Sequence, residues 1–311
     1  MIYITGATGH IGNNLVKELS RGKLDFIILA RKTNVSIEDF TDKIIIGDIF
    51  LGDFLSQHLK SGDTLIHLAA YINLKNDKST LTDKINFQGV KTIADFCALN
   101  NIFLIYTSSV DCITSNDYLI KEPDIISTDH LDGYYQLSKA LATNYLLNLQ
   151  KENKIKALIL YPTAVLGIND FKPSAIGKEI KRTFKRPICV YFHGGYNFVD
   201  VKDVTKAIIN GYQNNITSSF IISGEYISLY KMYKMIYKQI DKKVLMIKIP
   251  VYLIKFASLI LPKYKVMIKA LLTEHNFTNQ KMIDQLKVKP TPINLTLENT
   301  ITWFKENKEN A

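Results

Sequence analysis

MIYITGATGHIG, residues 1–12, is the stretch that decides the fold of this 311-residue chain. Its first five residues form a short apolar and β-branched run bounded by glycine, which predicts a buried strand. Glycines follow at positions 6, 9 and 12, and apolar residues then recur at helical spacing up to Gly22, which is placed to end the helix. A strand, a glycine turn and a helix bring backbone N–H groups to face a pyrophosphate. The start of the chain therefore predicts a nucleotide site.

The residues that follow alternate between apolar strands and helices. Such alternation implies parallel strands joined by right-handed crossovers, hence an α/β fold with a doubly wound parallel sheet. Ligands of such sheets bind at the carboxyl ends of the strands. Further strands are predicted at 26–30, 43–46, 64–67, 102–106 and 156–160, and helices at 52–60, 81–100 and 134–150.

The alternation stops after Pro162. Loops and a helix at 176–185 are followed by a helix at 203–212 that opens from residues 198–201, a strand at 220–223, and a mostly helical pattern from Leu229 onward. We therefore predict two parts. Residues 1–165, with 198–223 returning to them, form a dinucleotide-binding Rossmann domain, and 166–197 with 224–311 form a smaller, mostly helical substrate-binding region.

The composition is that of a soluble globular protein, with 47% hydrophobic and 22% charged residues. Met1 leads straight into the first strand, so no signal peptide is expected. Three scattered cysteines, Cys97, Cys112 and Cys189, fit a reducing cytoplasm better than a disulfide framework or a metal site. We expect a cytoplasmic protein without a bound metal.

A net charge of +10 raises the question of an anionic partner. The lysines are spread along the chain without a basic cluster interleaved with aromatic residues, which argues against nucleic acid. The apolar, lysine-containing stretch Val244–Leu272 is interrupted by Pro250, Lys255 and Pro262, so it is too short to cross a bilayer. We expect it to pack on its own protein, with a peripheral contact to a membrane surface as the alternative.

The end of the second predicted strand bears on the choice of dinucleotide. An acidic residue there usually holds the ribose hydroxyl. Here residues 29–32 read LARK, and no acid follows before Glu38. A guanidinium at Arg31 matches a 2′-phosphate, which favours NADP(H), with NAD(H) as the alternative if Arg31 is only a solvated loop cation. Asp48, after the third strand, accepts from the adenine amino group or caps a helix.

A phenol and an ammonium lie four residues apart on the helix at 134–150. Tyr135 and Lys139 share one helix face, whereas the residue four after Tyr134 is Ser138. A nearby ammonium is expected to lower the pKa of a tyrosine and fit it for proton exchange with a carbonyl or hydroxyl. Ser109, at the end of the fifth strand, is the candidate to meet the same oxygen, with Ser108 and a turn-forming role as alternatives.

These features together resemble the extended short-chain dehydrogenase/reductase family, the NAD-dependent epimerase/dehydratase superfamily. The glycine turn, Asp48, the residues 67–70 (HLAA), the Asn86-x-x-Gly pattern, and the serine, tyrosine and lysine occur in the family's order over nearly the whole chain.

The resemblance implies a role for each catalytic candidate. Tyr135 is the general acid/base, Lys139 holds the nicotinamide ribose and lowers the tyrosine pKa, Ser109 polarises the substrate oxygen, and Asn86 supports the lysine or a water. His67 is given no chemistry. The expected cofactor contacts are Gly6, Thr8, Gly9, His10, Ile11, Gly12, Arg31, Asp48, Ile49, Leu68, Ala69, Ala70, Tyr135, Lys139, Pro162 and Thr163.

Two positions depart from the family's nucleotide-sugar enzymes. Ala164 stands where those enzymes usually carry an asparagine, and Tyr196 or Asn197 where they carry an arginine. The chain is more similar to the dihydroflavonol-reductase-like branch. The resemblance thus implies an NADP(H)-dependent oxidoreductase that reduces a small-molecule ketone or aldehyde, or oxidises the alcohol.

Two alternatives stay open: an NAD-dependent sugar-nucleotide epimerase or dehydratase, and a non-catalytic dinucleotide-binding protein. A homodimer is compatible with either enzyme. The substrate pocket is expected to draw on loops at 71–76, 111–117 and 171–175 and on Phe192.

Overall fold

The computed structural model describes residues 1–51, 53–72, 80–113, 115, 117–129, 131–261 and 264–307. Some predicted features therefore lie outside the described residues. These are Gly52, the first residue of one predicted helix, Pro262, and residues 73–76, 114 and 116 of the expected pocket loops.

The predicted strands are all present, and the described part of the chain adds further ones after residue 112. The predicted bounds agree to within two residues at either end. The strands are β1 (Ile2–Thr5), β2 (Phe26–Ala30), β3 (Ile44–Ile46), β4 (Thr64–His67), β5 (Phe103–Thr107), β6 (Leu119–Ile120), β7 (Ala157–Pro162), β8 (Ala164–Leu166), β9 (Ile188–Phe192), β10 (Gly195–Asp200), β11 (Ser219–Ile222), β12 (Glu225–Ser228), β13 (Leu245–Ile249) and β14 (Asn276–Phe277).

Helices fill the connections between the strands. The predicted helix at 81–100 is a composite, because a π-helical turn at Lys84–Gln88 separates two α-helical parts. The α-helices are α1 (His10–Arg21), α2 (Phe54–His58), α3 (Thr80–Asp83), α4 (Gly89–Leu99), α5 (Tyr134–Lys151), α6 (Ala175–Lys185), α7 (Val201–Gln213), α8 (Leu229–Gln239), α9 (Val251–Ile260), α10 (Lys265–Leu272), α11 (Gln280–Gln285) and α12 (Ile293–Glu306).

Seven of the strands form one parallel sheet in the order β11-β7-β5-β4-β1-β2-β3, which confirms the predicted doubly wound α/β fold. The chain begins in the middle at β1, runs outward through β2 and β3, and then crosses to β4 on the other side of β1. The strand order thus reverses between β1 and β4, and a crevice for a ligand opens at their carboxyl ends.

Three buried apolar clusters hold the fold together. One is formed mainly by α4, α5 and the sheet residues that face them, and a second by α1, α7 and their sheet residues. The third joins β8, β9, β10, α8 and α12 outside the large sheet. It surrounds Ile236 and Phe304, both almost fully buried, and gives the C-terminal region a core of its own.

The strand β10 corrects the predicted helix opening at 198–201. Residues 195–200 pair with β8 and β12 in a three-stranded sheet, and α7 begins only at Val201. The Asp200 side chain sets that start by accepting a hydrogen bond from the Lys202 N–H at 2.8 Å. The mostly helical pattern expected after Leu229 was likewise incomplete, because β13 and β14 lie within it.

Candidate active site

The glycine turn after β1 forms as predicted, and two of its glycines are required by close contacts. Gly6 has φ of 75°, and a Cβ at this position would lie 2.5 Å from the Ala69 nitrogen at the end of β4. A Cβ at Gly12 would collide with the Gly6 carbonyl oxygen. The Gly9 N–H donates to that same oxygen at 2.9 Å and closes the turn. The first turn of α1 therefore points its N–H groups to the crevice.

The other expected contacts of the turn lie at the same edge. Thr8 and Ile11 are half-buried, whereas the His10 side chain turns away to the C-terminal region and contacts the Ile168 carbonyl oxygen through Nε2 at 3.0 Å. Burial lowers the pKa of His10 below its usual value of 6.5. His10 can thus serve a cofactor through its backbone N–H, while its side chain ties α1 to the loop after β8.

Arg31 and Asp48 occupy the neighbouring strand ends. Arg31 follows β2 directly, is exposed, and makes no ion pair with any residue that the structure describes. The Asp48 carboxylate accepts from the Phe50 N–H at 3.0 Å and closes a turn. It does not cap α2, which begins at Phe54 with Asp53 in the N-cap position, and its contact with an adenine stays a prediction. Ile49 is half-buried beside it, and Leu68, Ala69 and Ala70 line the end of β4.

The two serines after β5 have different environments. Ser108 hydrogen-bonds the Thr143 hydroxyl of α5 at 2.7 Å and is a packing residue. The Ser109 hydroxyl accepts from the Asp111 N–H at 3.2 Å, which starts a 3₁₀ turn at Val110–Cys112. It also forms a hydrogen bond with the Tyr135 hydroxyl. Ser109 is therefore the serine that the fold brings to Tyr135.

Lys139 lies one turn further along α5 and is almost fully buried. Its ammonium donates to the Thr107 carbonyl at 2.7 Å and to the Tyr106 hydroxyl at 3.2 Å. Burial lowers the pKa of Lys139 to about 8. The side chain is thus fixed at the carboxyl end of β5, where a ligand in the crevice meets it.

The expected lowering of the Tyr135 pKa is wrong for this structure. Burial raises the pKa of Tyr135 well above 10, the Asp111 carboxylate adds to the increase, and the hydrogen bond with Ser109 opposes it. The Lys139 ammonium is directed to Thr107 and Tyr106, and it does not offset the increase. Helical spacing placed the pair on one face but left open where the ammonium points.

Asn86 stands within the π-helical turn and is fully buried. Its amide oxygen accepts from the Tyr71 N–H at 2.8 Å, and its nitrogen donates to the Tyr71 carbonyl at 2.9 Å and to the Ser138 hydroxyl at 3.2 Å. The amide thereby ties the loop after β4 to the helix that carries Tyr135 and Lys139. In this structure Asn86 is a positioning residue.

A second group of polar side chains lies beside Tyr135. The sequence analysis placed Asp111 in an expected pocket loop and Tyr196 at the position of an absent arginine, but it gave neither residue a chemical role. The Tyr196 hydroxyl of β10 donates to the Asp111 carboxylate, and the charges of Asp111 and His275 also interact. Burial raises the pKa of Asp111 above its usual value. Asp111 follows Ser109 by two residues, which is a weak signal, and nothing in the sequence pattern marks His275.

The strand ends also carry buried polar atoms that suit a polar ligand. His67, Thr107 and Thr163 end or follow the neighbouring strands β4, β5 and β7. Their Nε2 and Oγ1 atoms have no hydrogen-bond partner among the residues that the structure describes. Burial, and then the charge of Lys139, lowers the pKa of His67 to about 3, so its ring stays neutral. With the glycine turn, these atoms fit a nicotinamide dinucleotide laid across the crevice.

Comparison with known families agrees with this geometry. Residues 2–219 match the model of the NAD dependent epimerase/dehydratase family. The chain belongs to that family. The match includes the glycine turn, Ser109, Tyr135 and Lys139, and it makes the protein an enzyme of the family that uses a nicotinamide dinucleotide.

Relatives within the family differ in their named activities. A putative dihydroflavonol 4-reductase from Synechocystis sp. is 27% identical over 73% of this chain and 68% of its own length. A UDP-glucose 4-epimerase from Vibrio cholerae is 28% identical over 53% of this chain and 52% of its own. The solved dTDP-glucose 4,6-dehydratase DesIV from Streptomyces venezuelae, with NAD bound, is 15% identical with a TM-score of 0.82, covers 99% and 97% of the two chains, and shows the shared fold.

Proposed function

We propose that this protein is an NADP(H)-dependent oxidoreductase that reduces a ketone or aldehyde on a small or medium-sized apolar molecule. The observation that carries the proposal is the environment of Tyr135. Its hydroxyl meets Ser109 and lies beside the Asp111 carboxylate, which is itself bonded to Tyr196.

The raised pKa of Tyr135 keeps its hydroxyl protonated at neutral pH, which is the form that the reduction of a carbonyl group needs. A tyrosine whose phenolate is disfavoured by burial and by a nearby carboxylate stays protonated at neutral pH. Such a phenol can donate a hydrogen bond and then a proton to a carbonyl oxygen. The hydrogen bond becomes stronger when negative charge develops on that oxygen. The Ser109 hydroxyl can donate to the same oxygen, as expected for a group that polarises a carbonyl.

The Asp111–Tyr196 pair favours an uncharged reacting group. A nucleotide sugar brings a diphosphate, which enzymes hold with guanidinium or amide donors. Beside Tyr135 this chain offers a carboxylate and a phenol, and Ala164 offers a methyl group. These side chains suit a ligand that is partly apolar and carries no charge near the reacting carbon.

NADPH, when bound, would supply a hydride for the carbonyl carbon. Tyr135 would give its proton to the carbonyl oxygen, so that the alcohol is the product. Lys139 of α5, whose ammonium is fixed at the carboxyl end of β5, would bind the nicotinamide ribose. Arg31 is exposed at the end of β2, and no acid follows it in the sequence before Glu38; its guanidinium would pair with a 2′-phosphate and select NADPH.

The test is NADPH consumption with a panel of apolar aldehydes and ketones, compared between Tyr135→Phe and Tyr134→Phe. We expect Tyr135→Phe to lower kcat by about 10³-fold or more, because only the hydroxyl that donates the proton is lost. NADPH affinity should stay within about twofold of the unmodified protein, since the ring is retained.

Tyr134→Phe removes the neighbouring hydroxyl from the partly exposed side of the same helix and should leave kcat unchanged. Near-normal turnover by Tyr135→Phe on a substrate that the unmodified protein reduces would contradict the mechanism.

A further inference from the structure

The helix α9 exposes its apolar side chains instead of burying them in a core. None of its residues is buried, and none of those of α10 is either. The Leu259 side chain is 74% exposed and that of Phe256 62%. Val244, Met246 and Leu271 pack on the third core cluster as expected, whereas the outer side of α9 does not pack on any described residue to the point of burial. The outward apolar side chains of α9 and of the residue after it are Tyr252, Leu253, Phe256, Leu259, Ile260 and Leu261.

The two-stranded sheet that precedes α9 has an apolar outer face as well. In the register of β9 and β13, Leu245 lies opposite Ile188 and Ile247 opposite Val190, and all four side chains are exposed. The alternate residue Cys189 faces the third core cluster. Several exposed apolar side chains from consecutive elements of the chain indicate an interaction site.

The charge of this part of the chain has one sign. Residues 242–273, named here the lysine-rich segment, contain seven lysines and no aspartate or glutamate. Lys242 donates to the Phe184 and Arg186 carbonyls, and Lys269 pairs with Asp132 at 2.7 Å. The other lysines of the segment that the structure describes make no ion pair with a described carboxylate; they are Lys243, Lys248, Lys255 and Lys265.

The segment adjoins the active site. Lys269 of α10 pairs with Asp132, which precedes the helix that carries Tyr135, and the Val266 side chain packs near Gly133 at the start of that helix. The segment is followed directly by Glu274 and by His275, which faces Asp111. A surface that binds α9 and α10 is therefore close to the entrance of the site.

We infer that the lysine-rich segment docks on the surface of a bilayer that contains anionic lipids. A short apolar helix that turns aromatic and leucine side chains outward can lie in the plane of the membrane interface when lysines stand close to it. Lys255 lies within α9, and Lys248 and Lys265 lie on either side of it. At ten residues, α9 is about 15 Å long, half of a hydrocarbon core. Among the residues that the structure describes, no helix is long and apolar enough to cross a membrane.

Charge decides between a lipid surface and a second copy of this chain. In a two-fold symmetric dimer the same patch meets itself, which would bring the lysines of one copy against those of the other. A surface of anionic headgroups neutralises them instead, and each lysine close to such a surface strengthens binding about fivefold.

The docking does not depend on the reaction. Where the proposed function also holds, an apolar carbonyl compound dissolved in lipid reaches Tyr135 from the membrane.

The test is flotation of the full-length protein with vesicles of phosphatidylcholine alone and of phosphatidylcholine mixed with phosphatidylglycerol. We expect binding to the anionic vesicles that is at least tenfold tighter than to the neutral ones and that weakens at high salt. The double variant Phe256→Ser/Leu259→Ser and the double variant Lys255→Glu/Lys265→Glu should each lose at least tenfold in affinity.

Matched controls change exposed residues elsewhere. Leu99→Ser/Ile125→Ser removes two apolar side chains that are exposed to a similar extent, and Lys60→Glu/Lys121→Glu makes the same change in charge. All four variants should keep the unmodified melting temperature and NADPH affinity.

Equal binding to both vesicle types, or losses no larger than those of the controls, would overturn the proposal. So would a dimer in sedimentation that Phe256→Ser/Leu259→Ser dissociates while the vesicles stay unbound.

Discussion

The cofactor side and the substrate side of the site are built in different ways. On the cofactor side, backbone groups of two short segments meet at the ends of neighbouring parallel strands: the glycine turn after β1 and the Leu68–Ala70 loop after β4. On the substrate side, Asp111, Tyr196 and His275 arrive from three distant segments, and side chains make the contacts. The cofactor side depends on the backbone conformation of two short loops, whereas the substrate side depends on how three distant segments pack together.

This difference explains which substitutions each side of the site tolerates. A glycine turn that holds a pyrophosphate depends on the absence of side chains, so almost any substitution damages it. The substrate side tolerates new side chains as long as its loops keep their positions, which is how one fold serves many reactions. The contrast can be tested by substitutions on either side.

The largest effect of these substitutions is expected at the glycine turn. Gly12→Ala places a methyl group against the Gly6 carbonyl oxygen, and because both atoms belong to backbone, helix and turn must move apart. We expect the free energy of unfolding to fall by about 2 kcal/mol. NADPH affinity, measured by fluorescence titration, should fall by about 100-fold because the N–H groups of α1 lose their positions.

Gly22→Ala at the other end of α1 is the control for this substitution. Its added methyl group would make only ordinary contacts, the nearest at 3.4 Å to the Glu18 carbonyl oxygen, and its φ is −75°. We expect unchanged NADPH affinity and stability that is equal or slightly higher. Equal NADPH affinity in Gly12→Ala and Gly22→Ala would show that the turn does not bind the cofactor.

The parts of the fold that could be predicted are those with local causes. The strands of the large sheet are apolar runs bounded by glycine or polar residues, and the helices between them have regular apolar spacing. Strands β8, β10 and β12 are three to six residues long and are stabilised by pairing with one another, which no local pattern reveals. The same reason hid β13, whose partner β9 is more than 50 residues away.

The candidate site divides along the same line. Helical spacing on α5 placed Tyr135 and Lys139 on one face. The apolar run of the fifth predicted strand placed Ser109 at its end. The direction in which the Tyr135 pKa shifts depends on the burial of the side chain and on the charge of Asp111. Both arise only in the folded chain. Alternatives such as Ser108 were resolved by the hydrogen bond to Thr143.

A smaller effect is expected at Arg31, where the cofactor side relies on one side chain. Arg31→Ala removes a guanidinium that can pair with a 2′-phosphate, and such a charge-assisted pair contributes about 2 kcal/mol. We expect NADPH affinity to fall by about tenfold or more while NADH affinity hardly changes, as measured by titration of both cofactors.

Arg21→Ala makes the same change in charge at the end of α1, where the arginine pairs with Glu18. It should leave both affinities as they are. If the unmodified protein binds NADH as tightly as NADPH, the assignment of NADPH is wrong.

The smallest expected effect is no effect at all, and it tests the substrate side. A protein that binds UDP or dTDP is stabilised by about 2.7 kcal/mol when the nucleotide is present at 100 times its Kd, which raises the melting temperature measurably. This chain lacks the asparagine and arginine expected for a diphosphate, and it carries the Asp111 carboxylate bonded to Tyr196 near the reacting group. We therefore expect millimolar UDP, dTDP and their sugars to leave the melting temperature unchanged. NADPH should raise the melting temperature in the same assay and serves as the positive control.

A rise with UDP or dTDP alone would assign the protein to the sugar-nucleotide enzymes of its family. Tyr135→Phe cannot distinguish the reduction of a carbonyl compound from a reaction on a nucleotide sugar, because both reactions transfer a proton through the Tyr135 hydroxyl. The diphosphate is the part of the substrate that distinguishes them, and its binding is read without any turnover.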